Sequence, residues 1–327
     1  MLSVSDGPHP NPFVAMLVAA VEPDVTVRMF RWRTALFGRY DVFHVQWPEA
    51  LVGWRPSLRS AARSLACVAL AARWALTRTP VVRTVHNLAP HESQAWYQRV
   101  AGRLLARAEV ARVYLTASSL ATADDPRGHV IKHGRYREWF DALEVPLPPR
   151  DDPPTVLFFG MLRPYKGVEE LLAAFSELDR PARLQVLGRP HTAQYQAQIE
   201  TLAAADDRTE LDLRHVPDEE LWAALHRATL VVLPFRKITN SGSLILALDA
   251  GVPVLATASA TTEELADEVG DQWLRTYPGT LTAQTLDQAL TWAAAPRDAT
   301  PDLSARDQRT IGRQYVELYA RLLSRAD

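Results

Sequence analysis

The alternation of apolar and polar positions divides the chain into short strands and longer helical runs. In the first half, YDVFHVQW (40–47), PVVRTVHN (80–87), ARVYLTAS (111–118) and GHVIKHG (128–134) are short apolar runs that predict strands. Between them, SLRSAARSLACVALAARWAL (57–76) and SQAWYQRVAGRLLARAE (93–109) repeat apolar positions at helical spacing. VPLPPRDDPP (145–154) then places five prolines in ten residues. Proline neither continues a helix nor donates to a sheet ladder, so a linker is expected over 146–154. The alternation resumes beyond it, with strands predicted at 155–160, 183–188, 210–216, 229–234 and 252–257. Helices are predicted at 168–178, 191–205, 218–227, 242–250 and 261–268, and a last helical pattern covers 304–327.

Strand and helix in alternation predict α/β architecture: parallel sheets covered on both faces. The expected organisation is a doubly wound, Rossmann-like N-terminal domain over 1–145, the linker 146–154, and a second such domain over 155–303. A C-terminal helix, 304–327, is left to pack back on the first domain. Two domains of this kind would face a cleft, and open parallel sheets bind ligands at the carboxyl ends of their strands.

A length of 327 residues suits two domains, and 47% hydrophobic residues suffices for two packed cores. The net charge of −2 conceals an asymmetry. Residues 1–150 hold 19 Lys and Arg against 12 Asp and Glu, net +7, while residues 151–327 hold 17 against 26, net −9. A basic half suits an anionic partner such as a membrane surface or a phosphorylated lipid. Nucleic acid is not expected, because the charge is dispersed and no DNA- or RNA-binding motif accompanies it. The single cysteine, Cys67, excludes an internal disulfide framework and fits a reducing compartment. MLSVSDGPHPNPF has no basic start and no apolar core, so no secretion signal is expected and the location is read as cytoplasmic. The most apolar stretch, 64–76, is interrupted by Arg73 and preceded by Arg63, too short to span a bilayer. Two placements stay open for it: a core helix, or a helix on the inner face of the plasma membrane.

Candidate chemistry gathers at predicted strand ends. The chain has 33 arginines but only three lysines, and one of these, Lys166, stands close to Arg163 in FFGMLRPYKGVEEL (158–171). Gly160 ends the strand and lets the backbone turn; Arg163 supplies a planar fork for phosphate oxygens and Lys166 a compact charge. The second cluster is TNSGS (239–243), directly before an apolar helix. Asn240 or Ser241 suits the cap, Gly242 allows close approach, and the free N–H groups with the hydroxyls of Ser241 and Ser243 make an anion site. Each cluster alone also reads as an ordinary loop or cap; together they favour one shared diphosphate. In the first half, HVQWPEA offers His44, Trp47 and Glu49. TVHNLAPHESQ offers His86, Asn87, His91 and Glu92, VIKHGRYREWF offers His133, Arg135 and Arg137, and the N-terminal loop offers Asp6 and His9. No DxD pair stands at a strand end, so no metal site is expected.

GMLRPYKGVEELLAAF and LALDAGVPVLA resemble the donor half of GT-B glycosyltransferases, and HVQWPE, TVHNLAPHE and VIKHGRY resemble the acceptor domain of bacterial glycolipid glycosyltransferases. Over most of its length the chain resembles the GDP-mannose:glycolipid β-1,4-mannosyltransferase family of exopolysaccharide synthesis. The resemblance implies a GT-B fold and a nucleotide-sugar donor, GDP-mannose, with no separate cofactor. It places the donor diphosphate and sugar on Gly160, Arg163, Lys166, Asn240, Ser241, Gly242 and Ser243. The acceptor it implies is a glycolipid or a polyprenyl-diphosphate-linked saccharide, contacted by His86, Asn87, Trp47, Glu49 and His133. Many retaining GT-B enzymes carry two glutamates eight positions apart. Alignment on GVPVLA puts Ile238 and Leu246 there, which favours inversion. An inverting transfer needs a base, and Glu92 with His91 as its neighbour is the expected one. The alternatives are a retaining transferase using another nucleotide sugar, a nucleotide-sugar epimerase, or a fold with a decayed site that only binds the nucleotide sugar.

Overall fold

Short strands, most of them largely buried, alternate with helices along the chain. The computed structural model describes residues 1–4, 11–22, 24–87, 94–238 and 242–324. They form two units, Met1–Gly134 with Ala305–Asp327, and Arg135–Ser304.

The first unit runs α1 (Pro12–Val21), α2 (Trp32–Phe37), β1 (Phe43–Val45), α3 (Pro48–Val52), α4 (Leu58–Thr77), β2 (Val81–Val85), α5 (Trp96–Ala108), β3 (Glu109–Tyr114), α6 (Ala117–Ala123) and β4 (Gly128–Val130). Its sheet is parallel in the order β1-β2-β3-β4, with Val45 opposite Arg83 and Val85 opposite Tyr114. Leu2 bridges His44, so the chain start lies beside β1. Alternation along the strands divides two cores. Val82, Ala111 and Val113 pack with α1, while Phe43, Val45 and Val81 pack with Cys67, Leu70 and Trp74 of α4 and with Ala101 and Leu105 of α5.

The second unit runs α7 (Arg137–Asp141), β5 (Thr155–Phe159), α8 (Val168–Ser176), β6 (Arg183–Leu187), α9 (Ala193–Ala203), β7 (Thr209–Asp212), α10 (Asp218–Arg227), β8 (Leu230–Leu233), α11 (Gly242–Asp249), β9 (Val254–Thr257), α12 (Ala260–Val269), β10 (Leu274–Tyr277) and α13 (Ala283–Ala293). Its sheet order is β7-β6-β5-β8-β9-β10, all parallel. This is a doubly wound order whose direction of winding reverses between β5 and β8. The last pair, β10 and α13, has no counterpart among the sequence expectations. LRTY carries Arg275 and Thr276 at its centre, and only Leu274 and Tyr277 are buried, as suits an edge strand.

α14 (Gln308–Leu323) packs on α1 and belongs to the first unit. The boundary between units falls at Gly134, ahead of the proline-rich segment. Two contacts inside the second unit explain this. Asp249 of α11 accepts from the backbone N–H of Tyr136 and from Arg135 Nε at 3.0 Å. Phe140 of α7 stacks on Trp222 of α10, centroids 4.6 Å apart.

α4 is a core helix on one side only. Ser60, Ser64, Cys67, Leu70 and Trp74 are buried, and the opposite face is exposed. Among the described residues, no helix is long and apolar enough to cross a membrane.

Candidate active site

In the second unit, chemistry collects where the winding reverses. β5 ends at Phe159, and Gly160 turns the chain with φ +110°, a conformation that favours glycine. Pro164–Lys166 then form a single 3₁₀ turn. Gly167, at φ +67°, starts α8 so close to the loop after β8 that a Cβ there would stand 2.1 Å from the Pro234 carbonyl oxygen. The N–H of Arg236 donates to the carbonyl of Tyr165 at 2.8 Å. These two contacts lock the loops after β5 and β8 together. Gly167→Ala is therefore expected to destabilise the protein by more than about 2 kcal/mol, counting the left-handed backbone and the collision. Chemical denaturation of the variant measures this.

The locked loops bring an ammonium and a hydroxyl together over Gly160. Lys166 Nζ lies 3.0 Å, and Ser243 Oγ 3.6 Å, from the point a Gly160 Cβ would occupy. The missing side chain thus lets an ammonium and a hydroxyl at the start of α11 converge on the Gly160 backbone. Lys166 Nζ also lies 5.0 Å from the centre of the Phe235 ring, a cation–π contact. Burial, reinforced by the charge of Arg163, lowers the Lys166 pKa to about 8. Among the described residues no carboxylate pairs with Arg163 or Lys166; nearby Glu170 is held by Arg236 at 2.8 Å. Two neighbouring cations without a counter-ion, beside the first N–H groups of a helix, call for an anion. Gly242 and Ser243 open α11 as expected; Asn240 and Ser241 lie outside the described residues. Leu246 is buried in the core of this unit and Ile238 packs against it, so neither position aligned with a retaining glutamate supplies a polar group.

The first unit carries a buried polar chain at the carboxyl ends of β1 and β2. His86 Nε2 lies 3.0 Å from Gln46 Oε1, Gln46 Nε2 lies 3.2 Å from His44 Nε2, and His44 Nδ1 lies 2.7 Å from the hydroxyl of Tyr319 on α14. One assignment satisfies all three. His86 donates to the Gln46 carbonyl, the Gln46 amide donates to His44, and His44 donates to Tyr319. Thr84 Oγ1 lies 2.8 Å from His44 Nε2 as well. Trp47 stacks on His86 with ring centres 4.5 Å apart, and the edge of Phe13 meets His86 at 5.1 Å. Burial lowers His44 and His86 to about 3 and His133 to about 4, so all three are neutral at physiological pH.

His86, Trp47, Asn87 and Glu49 are partly exposed, Glu49 in the first turn of α3. His133 is buried; its Nδ1 meets the Gly134 carbonyl at 2.7 Å, and Phe13 lies 4.8 Å away. His91, Glu92, Asp6 and His9 lie outside the described residues. Arg135 and Arg137, from the same run as His133, are both ion-paired. Arg135 is paired with buried Asp249 and Arg137 with Asp141 at 2.9 Å, both within the second unit. Sequence reasoning missed Gln46 and Tyr319. Gln46 had a signal, a polar residue amid the apolar run FHVQW; Tyr319, 275 residues from His44, had none. Among the described residues, no group of three or more His, Cys, Asp or Glu side chains is placed to hold a metal ion.

Two parallel-sheet α/β units, the second with a cation-lined winding reversal, have the architecture of the GT-B class. The fold is shared with HepE of Anabaena, solved in complex with UDP and glucose, at TM-score 0.65 and 18% identity over 98% of each chain. It is shared too with WaaG, a glycosyltransferase involved in lipopolysaccharide biosynthesis, at TM-score 0.55 and 17% identity over 100% of this chain and 98% of that one. The family model of group 1 glycosyl transferases matches residues 153–292. A GDP-mannose:glycolipid 4-β-D-mannosyltransferase of Xanthomonas campestris pv. campestris is 37% identical over 319 residues, 96% of this chain and 89% of that protein. The chain belongs to that family of glycosyltransferases. The relatives favour sugar transfer over the epimerase and decayed-site alternatives.

Proposed function

We propose that this glycosyltransferase moves mannose from GDP-mannose, with inversion to a β-linkage, onto a glycolipid or polyprenyl-diphosphate-linked saccharide. The observation that carries the donor half is the convergence of Lys166 Nζ and Ser243 Oγ over Gly160. A diphosphate there gains two charge-assisted partners and restores full charge to an ammonium that burial disfavours. As the bond from mannose C1 to the diphosphate breaks, negative charge grows on the leaving oxygen, and Arg163 and Lys166 stabilise it. That electrostatic work supports a metal-independent reaction with no cofactor beyond the donor. The acceptor hydroxyl attacks C1 from the opposite face and gives its proton to Glu92, with His91 beside it; GDP leaves with the electron pair. His86, held by Gln46 and Trp47, is a contact for the sugar or acceptor, together with Asn87, Glu49 and His133. The mannose and glycolipid assignments follow the name of the Xanthomonas relative. The enzyme then works as a peripheral protein at the cytoplasmic face of the membrane, where such acceptors present their sugars.

Supplying GDP-mannose and a lipid-diphosphate saccharide, and reading the new anomeric centre by NMR, tests this reading. A β-mannosyl product is expected. An α product would replace inversion by retention, and transfer from UDP-sugars but not GDP-mannose would replace the donor.

A further inference from the structure

We propose that the outer face of α4, continued onto the start of α5, is a docking surface for an anionic phospholipid bilayer. On α4 the positions 58, 62, 65, 69, 72 and 76 lie within a narrow stripe at 100° per residue, and they are Leu, Ala, Leu, Ala, Ala and Leu. This stripe points away from the buried Ser60, Cys67 and Trp74. Leu58, Leu65 and Leu76 are 93%, 72% and 86% exposed. A helix apolar on both faces is normally buried on both; here the second face is uncovered among the described residues. α5 packs beside α4, with the Tyr97 hydroxyl 3.1 Å from Ser60 Oγ, and adds Trp96, 70% exposed.

Charge selects the occupant. Residues 51–108 contain nine arginines, no lysine and a single acidic residue, Glu92. Arg55, Arg59, Arg99, Arg103 and Arg107 are exposed. Apolar stripe, exposed tryptophan and flanking arginines are the combination that lies in a lipid headgroup layer, with long cationic side chains reaching the phosphates. Topology gives the surface a direction. α4 ends at Thr77 just before β2 starts at Val81, and α5 ends at Ala108 where β3 begins. The Leu58 and Trp96 ends therefore lie at the carboxyl edge of the sheet, the edge that carries Gln46 and His86. A bilayer on this surface places a lipid-anchored saccharide next to the stacked His86–Trp47 pair. The proposal deepens the glycolipid-acceptor reading and rests on it for its purpose, although vesicle binding needs neither donor nor acceptor.

Sedimentation of the full chain with phosphatidylcholine vesicles, with and without phosphatidylglycerol, tests it. Binding is expected to vesicles with phosphatidylglycerol, and to weaken with salt as headgroup charges are screened. Leu65→Glu with Leu76→Glu should lower partition by about tenfold or more, and Arg55→Gln with Arg59→Gln by roughly 30-fold at low salt. Because all four side chains are exposed, thermal stability and GDP binding should stay as in the parent, so a loss reports the surface and not the fold. Equal partition of parent and leucine variants would overturn the proposal. So would light scattering showing a dimer that the leucine variants convert to monomer, since a second copy would then cover the stripe. Neither result touches the donor site, and failure of GDP binding would leave the vesicle result standing.

Discussion

Lys166→Ala is expected to weaken GDP binding about 10- to 100-fold, the range for losing a hydrogen bond to a charged group. The ammonium lies over Gly160 and has no carboxylate partner among the described residues, so its removal orphans nothing. Thermal stability should hold or rise, because the cost of burying the charge disappears with it. The pH dependence follows from the same depressed pKa. The empty site loses the Lys166 proton above about pH 8. Diphosphate favours the charged form, so the bound pKa is higher than 8. Affinity should therefore be flat below about 8 and fall as pH rises from there toward the bound pKa, by at most about tenfold per unit. Lys166→Arg should remove that slope. For the empty protein the sign is reversed: the charged lysine costs stability at neutral pH, and the cost fades as pH climbs from about 8 to the ordinary lysine range. Calorimetric titration with GDP across this pH range checks the binding statements. Parent-like affinity in both Lys166→Ala and Arg163→Ala would move the diphosphate away from this loop.

Glu92→Gln should lower turnover by about 10²- to 10⁴-fold, the usual contribution of a general base, with GDP affinity unchanged. The buried histidines of the first unit are poor candidates for this proton. His86 already donates from Nε2 to Gln46 in the chain that ends at Tyr319, and burial holds its pKa at about 3. Protonating it creates a charge where solvent is scarce, whereas protonating a carboxylate removes one. Single-turnover rates together with calorimetry separate chemistry from binding. A rate near that of the parent would take the base role away from Glu92 and leave the donor site intact.

The legible part of the site was local. FFGMLRPYKGVEEL displays the strand end, the glycine and both cations within fourteen residues. The polar chain from His86 to Tyr319 was illegible because its members come from β1, β2 and a helix at the other end of the sequence. Arg135 and Arg137 show the converse. Next to His133 in sequence they look unpaired, yet Arg135 meets buried Asp249 and Arg137 meets Asp141 at the surface. β10 escaped notice because an edge strand buries too little to display an apolar run.

By itself the sequence determined the alternating α/β plan, the cationic loop after β5 and the absence of glutamates at the two retaining positions, since strand burial, glycine turns and residue identity are local properties. Only the tertiary structure decided that β5 lies beside β8, so that Lys166 and Ser243 meet over Gly160, and that among the described residues α4 leaves Leu58, Leu65 and Leu76 uncovered. Strand order and burial depend on which distant segments meet, and hydrophobic periodicity records how much a segment buries without recording against what.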